Sequence, residues 1–505
     1  DIYGDVSNPD YKLNLPSKKE DAKYVLEVKL SNPKKCAGQF FQIQEERGKL
    51  NFYAKKELFL KVGQKFTESC IIGVSEEGQM RRRFLSYLER ERAKPYGQFL
   101  HYNSWYDLSE DNVSYNLEQA KEVINGWGEK FIEPYEIDFG GFALDDGWDD
   151  LNDLWRFNKE DFPNGFVPLA KDAKKFNTGI GAWMSPFGGY AEPKKERVAT
   201  AIRDGFETTD KGLSLAGPKY YQRFLESALT LIKENEVNYF KFDGFGGSDP
   251  KYLPEMEAAT KLVRTLRQAK PDVFINVTTG TWPSPFWLLT TDCTWRGGWD
   301  MQQAGVGNKS QKWITFRDGA LYNNVVRRAS LYPLNSIMHH GIVYANRSHG
   351  KNYTTDSDSD FADQVYSYFG SGTSLQELYI SHDRMNQTKW DILAKGAKWA
   401  KANENVLVDT HWVGGDPYNL DVYGWASWID GKGIITLRNP SDKVQEYILN
   451  LFKVLETNKD LSQYNVIEPL IKKPTDLLKN ENRIKVVLKP FEWKIIELIK
   501  PKEQF

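Results

Sequence analysis

The sequence predicts an α/β protein, with a central (β/α)8 TIM barrel flanked by an N-terminal β-rich domain and a C-terminal β-sandwich. Three observations carry this. Residues 98–380 alternate short apolar runs with longer stretches of helical period. The regions on either side instead alternate apolar and polar residues with period two, as strands do. At 505 residues the chain also exceeds the roughly 250–300 at which a single hydrophobic core stops growing. The expected domains are 1–95, 96–404 and 405–505.

In chain order, "KYVLEVKLS", "QFFQIQ", "KLNFYA" and "ELFLKVG" read as strands joined by charged turns. "GQMRRRFLSYLERERAKP" (78–95) reads as a linking helix stopped by Pro95, its charge run forming a solvated face. Eight barrel strands follow: 98–103, 140–145, 179–183, 238–243, 273–277, 287–292, 335–340 and 374–380. Between them, segments such as "LEQAKEVINGWGEKF" and "EMEAATKLVRTLRQAK" place apolar residues every three to four positions. Eight such units are close to the typical barrel of about 250 residues. After residue 405 strand patterns return, with Asp430-Gly431 as a hairpin signal.

Composition narrows the function classes. With 67 Lys+Arg against 69 Asp+Glu, nothing electrostatic favours nucleic acid or an anionic membrane as partner. No apolar run approaches the roughly 20 residues that span a bilayer. Three cysteines cannot build a disulfide framework, although Cys36 and Cys70 could pair. Aromatic residues make up 14% of the chain, enough to line a sugar site as well as fill a core.

Active sites of such barrels lie at the C-terminal ends of the strands. Applied here, that rule gathers Asn103, Ser104 and Trp105 after strand one, and Asp145, Asp146, Gly147 and Trp148 after strand two. It adds Trp183 from strand three, Lys241 and Asp243 from strand four, and Asp292 from strand six. Lys241 and Asp243, two residues apart on a strand, face the same side, so the lysine can hold the aspartate ionised as a nucleophile. A purely structural ion pair closing the barrel mouth is the alternative. A metal centre is not expected, because six histidines without ligand spacing cannot supply one. "GFGGSDP" lacks the lysine and hydroxyl of a phosphate-binding loop, and no G-x-S-x-G stands at a strand end. Paired carboxylates with aromatic walls and no cofactor are the equipment of glycoside hydrolysis, with an oligosaccharide or glycoconjugate as substrate.

The same residues carry a family resemblance. "YNSWYDL" (102–108), "LDDGW" (144–148), "YFKFDG" (239–244), "LLTTDCTW" (288–295) and "SLYPLNSIMHHG" (330–341) resemble, in order, the motifs of the α-galactosidase clan, glycoside hydrolase families 27 and 36. The resemblance implies a retaining enzyme with Asp243 as nucleophile and Asp292 as general acid/base. It further implies sugar contacts from Asp145, Asp146 and Lys241, with Arg296, Thr281 and Ser284 at variable places. By position, Trp105, Trp148, Trp183, Trp282 and Trp295 would shape the pocket, with core filling as the alternative for each. The β-rich flanks resemble family 36 more than family 27, with an N-terminal part short enough to suggest a truncated or outlying member. Departures fall around Asp292. The arginine that family 27 sets before its acid/base is absent from 288–291, Arg296 stands on the other side, and Asp300 is the next candidate acid.

"TGTWPSPFW" (279–287) is similar to the family 27 loop that reads the substituent on sugar carbon 2. Thr281 and Ser284 stand where galactosidases carry a glutamate and a leucine, which leaves room for an acetamido group. An α-galactosidase is the expected activity, with an α-N-acetylgalactosaminidase, a galactosyl transferase of the same clan and a non-catalytic carbohydrate-binding relative as alternatives.

Overall fold

The computed structural model of the protein describes residues 41–46, 49–54, 62–63, 75–109, 114–244, 252–278, 284–294, 297–328, 331–347, 357–470, 473–474, 478–480 and 482–501. Most of the expected N-terminal domain, with Cys36 and Cys70, lies outside them. Within them, Phe41–Glu46 and Lys49–Ala54 pair as an antiparallel hairpin, and the linking helix runs from Met80 to Glu91. Its charge run is more than a solvated face. Arg81 and Arg82 both reach the buried Asp409, at 2.8 and 3.0 Å.

Eight parallel strands form one sheet. They are β1 (Phe99–Asn103), β2 (Gly141–Leu144), β3 (Ile180–Met184), β4 (Val237–Phe242), β5 (Phe274–Val277), β6 (Cys293–Thr294), β7 (Ile342–Tyr344) and β8 (Leu375–Ile380). Their spatial order is β6-β5-β4-β3-β2-β1-β8-β7. At the β6 edge an isolated parallel bridge joins Thr294 to Ile337, and Met338 N donates to Thr294 O at 2.7 Å. The strands are buried along nearly their whole length, as expected where helices cover a parallel sheet. The helix Pro218–Lys233, begun by Pro218 at its first turn, lays Tyr220, Phe224, Ala228 and Leu231 on the sheet. The Phe224 and Phe242 rings meet at 6.0 Å.

Two strands fall later in the chain than their apolar runs predict. Residues 285–289 form a 3-10 turn that opens at Pro285 under a Ser284 cap, and the Thr290 and Thr291 hydroxyls donate back to Trp287 O. β6 therefore begins only at Cys293. Likewise Leu334–Ser336 is a 3-10 turn following Pro333, and β7 begins at Ile342. Short apolar runs do not distinguish a buried turn from a strand by periodicity.

The N-terminal half of the sheet interior is filled by Phe99, Tyr239, Phe274, Leu375 and Met338. Phe99 stacks on Phe274 at 4.7 Å. This apolar plug leaves the polar residues to the C-terminal half. Beyond residue 410, strands form six- and three-stranded antiparallel sheets that share a core including Trp428, Ile435, Leu449 and Ile484. Asp430-Gly431 makes the tight turn between Tyr423–Ile429 and Lys432–Arg438, with Gly431 at φ +95°.

A buried polar network fastens these sheets to the helix Lys309–Leu321. Tyr423 OH donates to Asp318 Oδ2 at 2.6 Å, Arg317 Nε donates to Oδ1 at 2.8 Å, and Arg438 donates to Thr315 Oγ1 and Gln311 O. Burial raises the Asp318 pKa, but the neighbouring Arg317 and His339 outweigh it and hold the acid below the usual carboxylate range. A depressed pKa contributes stability above the unfolded value near pH 4 and loses it as pH falls below. Asp318→Ala should cost about 3–5 kcal/mol in urea unfolding at neutral pH, because it strands buried Arg317 and Tyr423. The deficit relative to the parent should shrink as the solution is acidified.

Candidate active site

Four segments converge beyond the C-terminal ends of β1 to β4. After β1 the chain turns through Ser104, whose Oγ accepts from Asp145 N at 2.8 Å. Tyr115 OH donates to Asp145 O at 2.8 Å, so the backbone of Asp145 is held from two sides. Its side chain meets the ammonium of Lys241, with Nζ–Oδ2 2.8 Å and both groups buried. Burial alone would depress the Lys241 pKa; Asp145, Asp243 and Glu377 together raise it, so the amine stays charged.

Asp243 follows β4 on the same face. Trp183 Nε1 donates to its Oδ2 at 3.2 Å, while Tyr190 OH and Gly244 N donate to Oδ1 at 2.9 and 2.8 Å. Hydrogen bonds of this kind favour the ionised carboxylate. Sequence reasoning pairs Lys241 directly with Asp243; the structure gives the lysine's hydrogen bond to Asp145 and leaves its effect on Asp243 electrostatic.

Asp146 is oriented by Arg197, which sequence reasoning missed. This arginine sits on the helix Ala191–Asp204 and is fully buried. Its Nη2 lies 2.5 Å from Asp146 Oδ1 and 2.6 Å from Asp149 Oδ1, with the guanidinium over Trp155 and Trp183. Burial raises the Asp146 pKa against the pull of Arg197. Gly188 and Gly189, at φ +97° and +91°, bring the loop close: a Cβ on Gly189 would stand 2.8 Å from Arg197 Nη1 and 3.0 Å from Trp183 Cη2. The strand-end rule would have found Tyr190 had it been followed past Trp183 into "SPFGGY"; Arg197 lies inside the next helix, where that rule does not reach.

The aromatic candidates divide. Trp183 touches Asp243, and Trp105 is half-buried in the turn that follows β1. Trp148 is fully enclosed against Phe157 and Phe166, with its Nε1 donating to Trp183 O at 2.9 Å, so it supports the site from the core and faces no sugar. Ser284 spends its hydroxyl accepting from Phe286 N. Thr281, Trp282, Trp295 and Arg296 lie outside the described residues.

Asp292 is the principal correction. It precedes β6, and both its N–H and its carboxylate bond the backbone of Ile275, at 2.9 and 2.7 Å. Arg267, near the C-terminal end of the helix Leu253–Ala269, holds Oδ2 at 2.5 Å, and Arg92 donates to its main-chain oxygen. Phe242 pairs with Val277, two residues beyond Ile275, and Asp243 follows Phe242. Asp292 therefore lies about 10 Å lower along the strands than Asp243. Catalytic carboxylates of a retaining glycosidase stand about 5–5.5 Å apart. The misplacement follows from the strand shift, because Asp292 enters β6 where the sequence has it leaving. Asp300 lies beyond the C-terminal end of β6, half-buried between exposed Trp299 and buried Met301, whose N–H donates to Tyr106 OH at 3.0 Å.

Among the described residues no group of His, Cys, Asp and Glu could hold a metal ion, and no helix is long and apolar enough to cross a membrane.

Parallel strands with carboxylates at their C-terminal ends define a TIM-barrel-like class, and the comparison with solved structures agrees. The chain is similar to a GH27 β-L-arabinopyranosidase from Geobacillus stearothermophilus at 13% identity and TM-score 0.59, covering 84% of this chain and 99% of that one. It is similar to α-galactosidase I from Mortierella vinacea at 12% identity and TM-score 0.56, covering 80% and 97%. A GH36 α-galactosidase from G. stearothermophilus aligns at 13% identity and TM-score 0.56 over 84% of this chain, which spans 59% of that enzyme's length. No protein-family model matches the sequence, and no curated protein does.

Asp292→Ala should destabilise the fold by about 3–5 kcal/mol in chemical denaturation, because it leaves Arg267 unpaired and Ile275 N unsatisfied. An unchanged unfolding midpoint would show that Asp292 has no structural task.

Proposed function

We propose that the protein is a retaining, exo-acting glycoside hydrolase of the α-galactosidase type, cleaving terminal α-linked galactose-configured sugars by double displacement. The observation that carries this reading is Asp243, held by Trp183 and Tyr190 beside the Lys241–Asp145 ion pair at the C-terminal end of β4. Fold neighbours that are themselves named as α-galactosidases support it. In the same reading the sheet closes as a (β/α)8 barrel, supported by the Thr294–Ile337 bridge.

Asp243 attacks the anomeric carbon and forms a glycosyl-enzyme ester while a second carboxylic acid protonates the leaving oxygen; that group then removes a proton from water, which releases the sugar. The second carboxyl is Asp300, in place of Asp292, because it follows β6 toward the face that carries Asp243. Asp145, fixed by Lys241, and Asp146, fixed by Arg197, are oriented acceptors for sugar hydroxyls.

Asp243→Asn should bring turnover of aryl α-galactosides to background while sugar binding by calorimetry persists; retained turnover would remove Asp243 as nucleophile. Asp300→Ala should slow substrates with poor leaving groups by about 10²–10⁴-fold and spare activated aryl glycosides. Equal loss on both would return Asp300 to a positioning role.

Aryl α-galactoside, α-N-acetylgalactosaminide and β-L-arabinopyranoside, compared by kcat/KM with and without acceptor sugars, identify the substrate. We expect the galactoside to lead. Preference for the acetamido sugar would favour a small-residue pocket at Thr281 and Ser284.

A further inference from the structure

Beneath the Lys241–Asp145 pair lies a carboxyl group that no step of the proposed reaction uses. Glu377 projects from β8, is fully enclosed, and stands in register with His101 of β1. Asn103 Nδ2 donates to its Oε1 at 3.2 Å. His101 Nε2 lies 3.7 Å from the same oxygen. The other ring nitrogen, Nδ1, is 3.1 Å from Tyr102 O and so carries the hydrogen, which makes Nε2 an acceptor; no donor meets it. Burial pushes the His101 pKa down to about 3, so the ring is neutral.

Charge balance decides the state of Glu377. Lys241 pairs with Asp145 at 2.8 Å and feels the charges of Asp243 and Glu377. With all three ionised, the enclosed cluster would carry two uncompensated negative charges, a costly state away from water. Asp145 holds the Lys241 ammonium at 2.8 Å, and Asp243 receives hydrogen bonds from Trp183 and Tyr190. Among the described residues, Glu377 is the one of the three with neither an ion pair to Lys241 nor more than one hydrogen-bond donor in contact, and the unpartnered His101 Nε2 stands 3.7 Å from its Oε1.

We propose that Glu377 is a positioning residue that acts as the uncharged acid, serving His101 and Asn103 so that the Lys241 ammonium stays committed to Asp145 and Asp243. This rests on reading Asp243 as the nucleophile. When the proton leaves, a third carboxylate competes for Lys241, its hold on Asp145 and Asp243 weakens, and turnover falls on the alkaline side. Burial, opposed by Lys241, pushes the Glu377 pKa up to about 7, within the range where that change is measurable. The other titratable groups facing the cluster stay neutral there. Tyr239 from β4, Cys293 from β6 and Tyr368, whose OH accepts from Glu377 N, are all pushed well above their ordinary values by burial. Tyr379, two residues along β8, lies on the same face of the strand as Glu377.

Glu377→Gln keeps the shape of the neutral acid and cannot ionise, whereas Glu377→Ala removes the group. We expect Glu377→Ala to lower kcat/KM at every pH. Glu377→Gln should rescue it and lift the alkaline limb, reaching about tenfold above the parent one pH unit past the parental inflection. A Gln variant that shares the parental alkaline limb, or loses as much as Ala, overturns the proposal. Infrared difference spectroscopy tests it without turnover. The parent should show a carboxylic-acid carbonyl band that titrates near neutral pH and is missing from Glu377→Gln; the same band in both proteins overturns it. Should no glycoside be hydrolysed, the infrared result still decides the state of Glu377, while the failure falls on the hydrolase reading.

Discussion

The ion pair between Lys241 and Asp145 is the constraint around which the centre of the molecule is arranged. An ammonium and a carboxylate enclosed in a sheet interior lose several kcal/mol of hydration each, so the pair persists only with close contact and fixed partners. Those partners come from separate elements. Ser104 and Tyr115 hold the backbone of Asp145, the strand position of Lys241 is set by pairing with β3 and β5, and Asn103 and Glu377 close the floor. Register therefore becomes chemistry: a one-residue slip of β4 would turn Lys241 and Asp243 to the helix side.

Arg197 plays the corresponding part on the far side of Asp146. Its guanidinium bridges Asp146 and Asp149 and lies over two tryptophans. Trp183 links the two halves, with its Nε1 on Asp243, its carbonyl receiving Trp148 Nε1 and its ring beneath Arg197. Much of the aromatic content of the chain is of this supporting kind. The stacks of Phe99 with Phe274 and Tyr239, and the group around Trp127, fill interior volume.

The fold is shared with solved structures at 12–13% identity. Such divergence is compatible with a common architecture because cores tolerate extensive substitution when volume and apolar pattern are kept. Function resides in a few residues at strand ends, so the similarity of fold supports a reading of the site and does not replace it.

The apolar runs and their alternation with helical segments determined the eight-strand parallel architecture, because binary pattern and the burial of both sheet faces are local properties. The same pattern put Lys241 and Asp243 on one face, since side chains alternate with period two on any strand. Adjacent acidic residues after β2 were legible for the same reason. What the sequence could not decide is where a strand begins when its apolar run opens as a turn. In "PFWLLTTDCT" the hydroxyls of Thr290 and Thr291 satisfy the turn and delay β6 to Cys293, which moves Asp292 from the exit of the strand to its entrance. Nor could it choose partners across the sheet: that Lys241 bonds Asp145, that Arg197 takes Asp146, and that Glu377 faces a neutral histidine are consequences of distances between residues far apart in the chain. Charges select one another by proximity and burial, and only the tertiary structure supplies both.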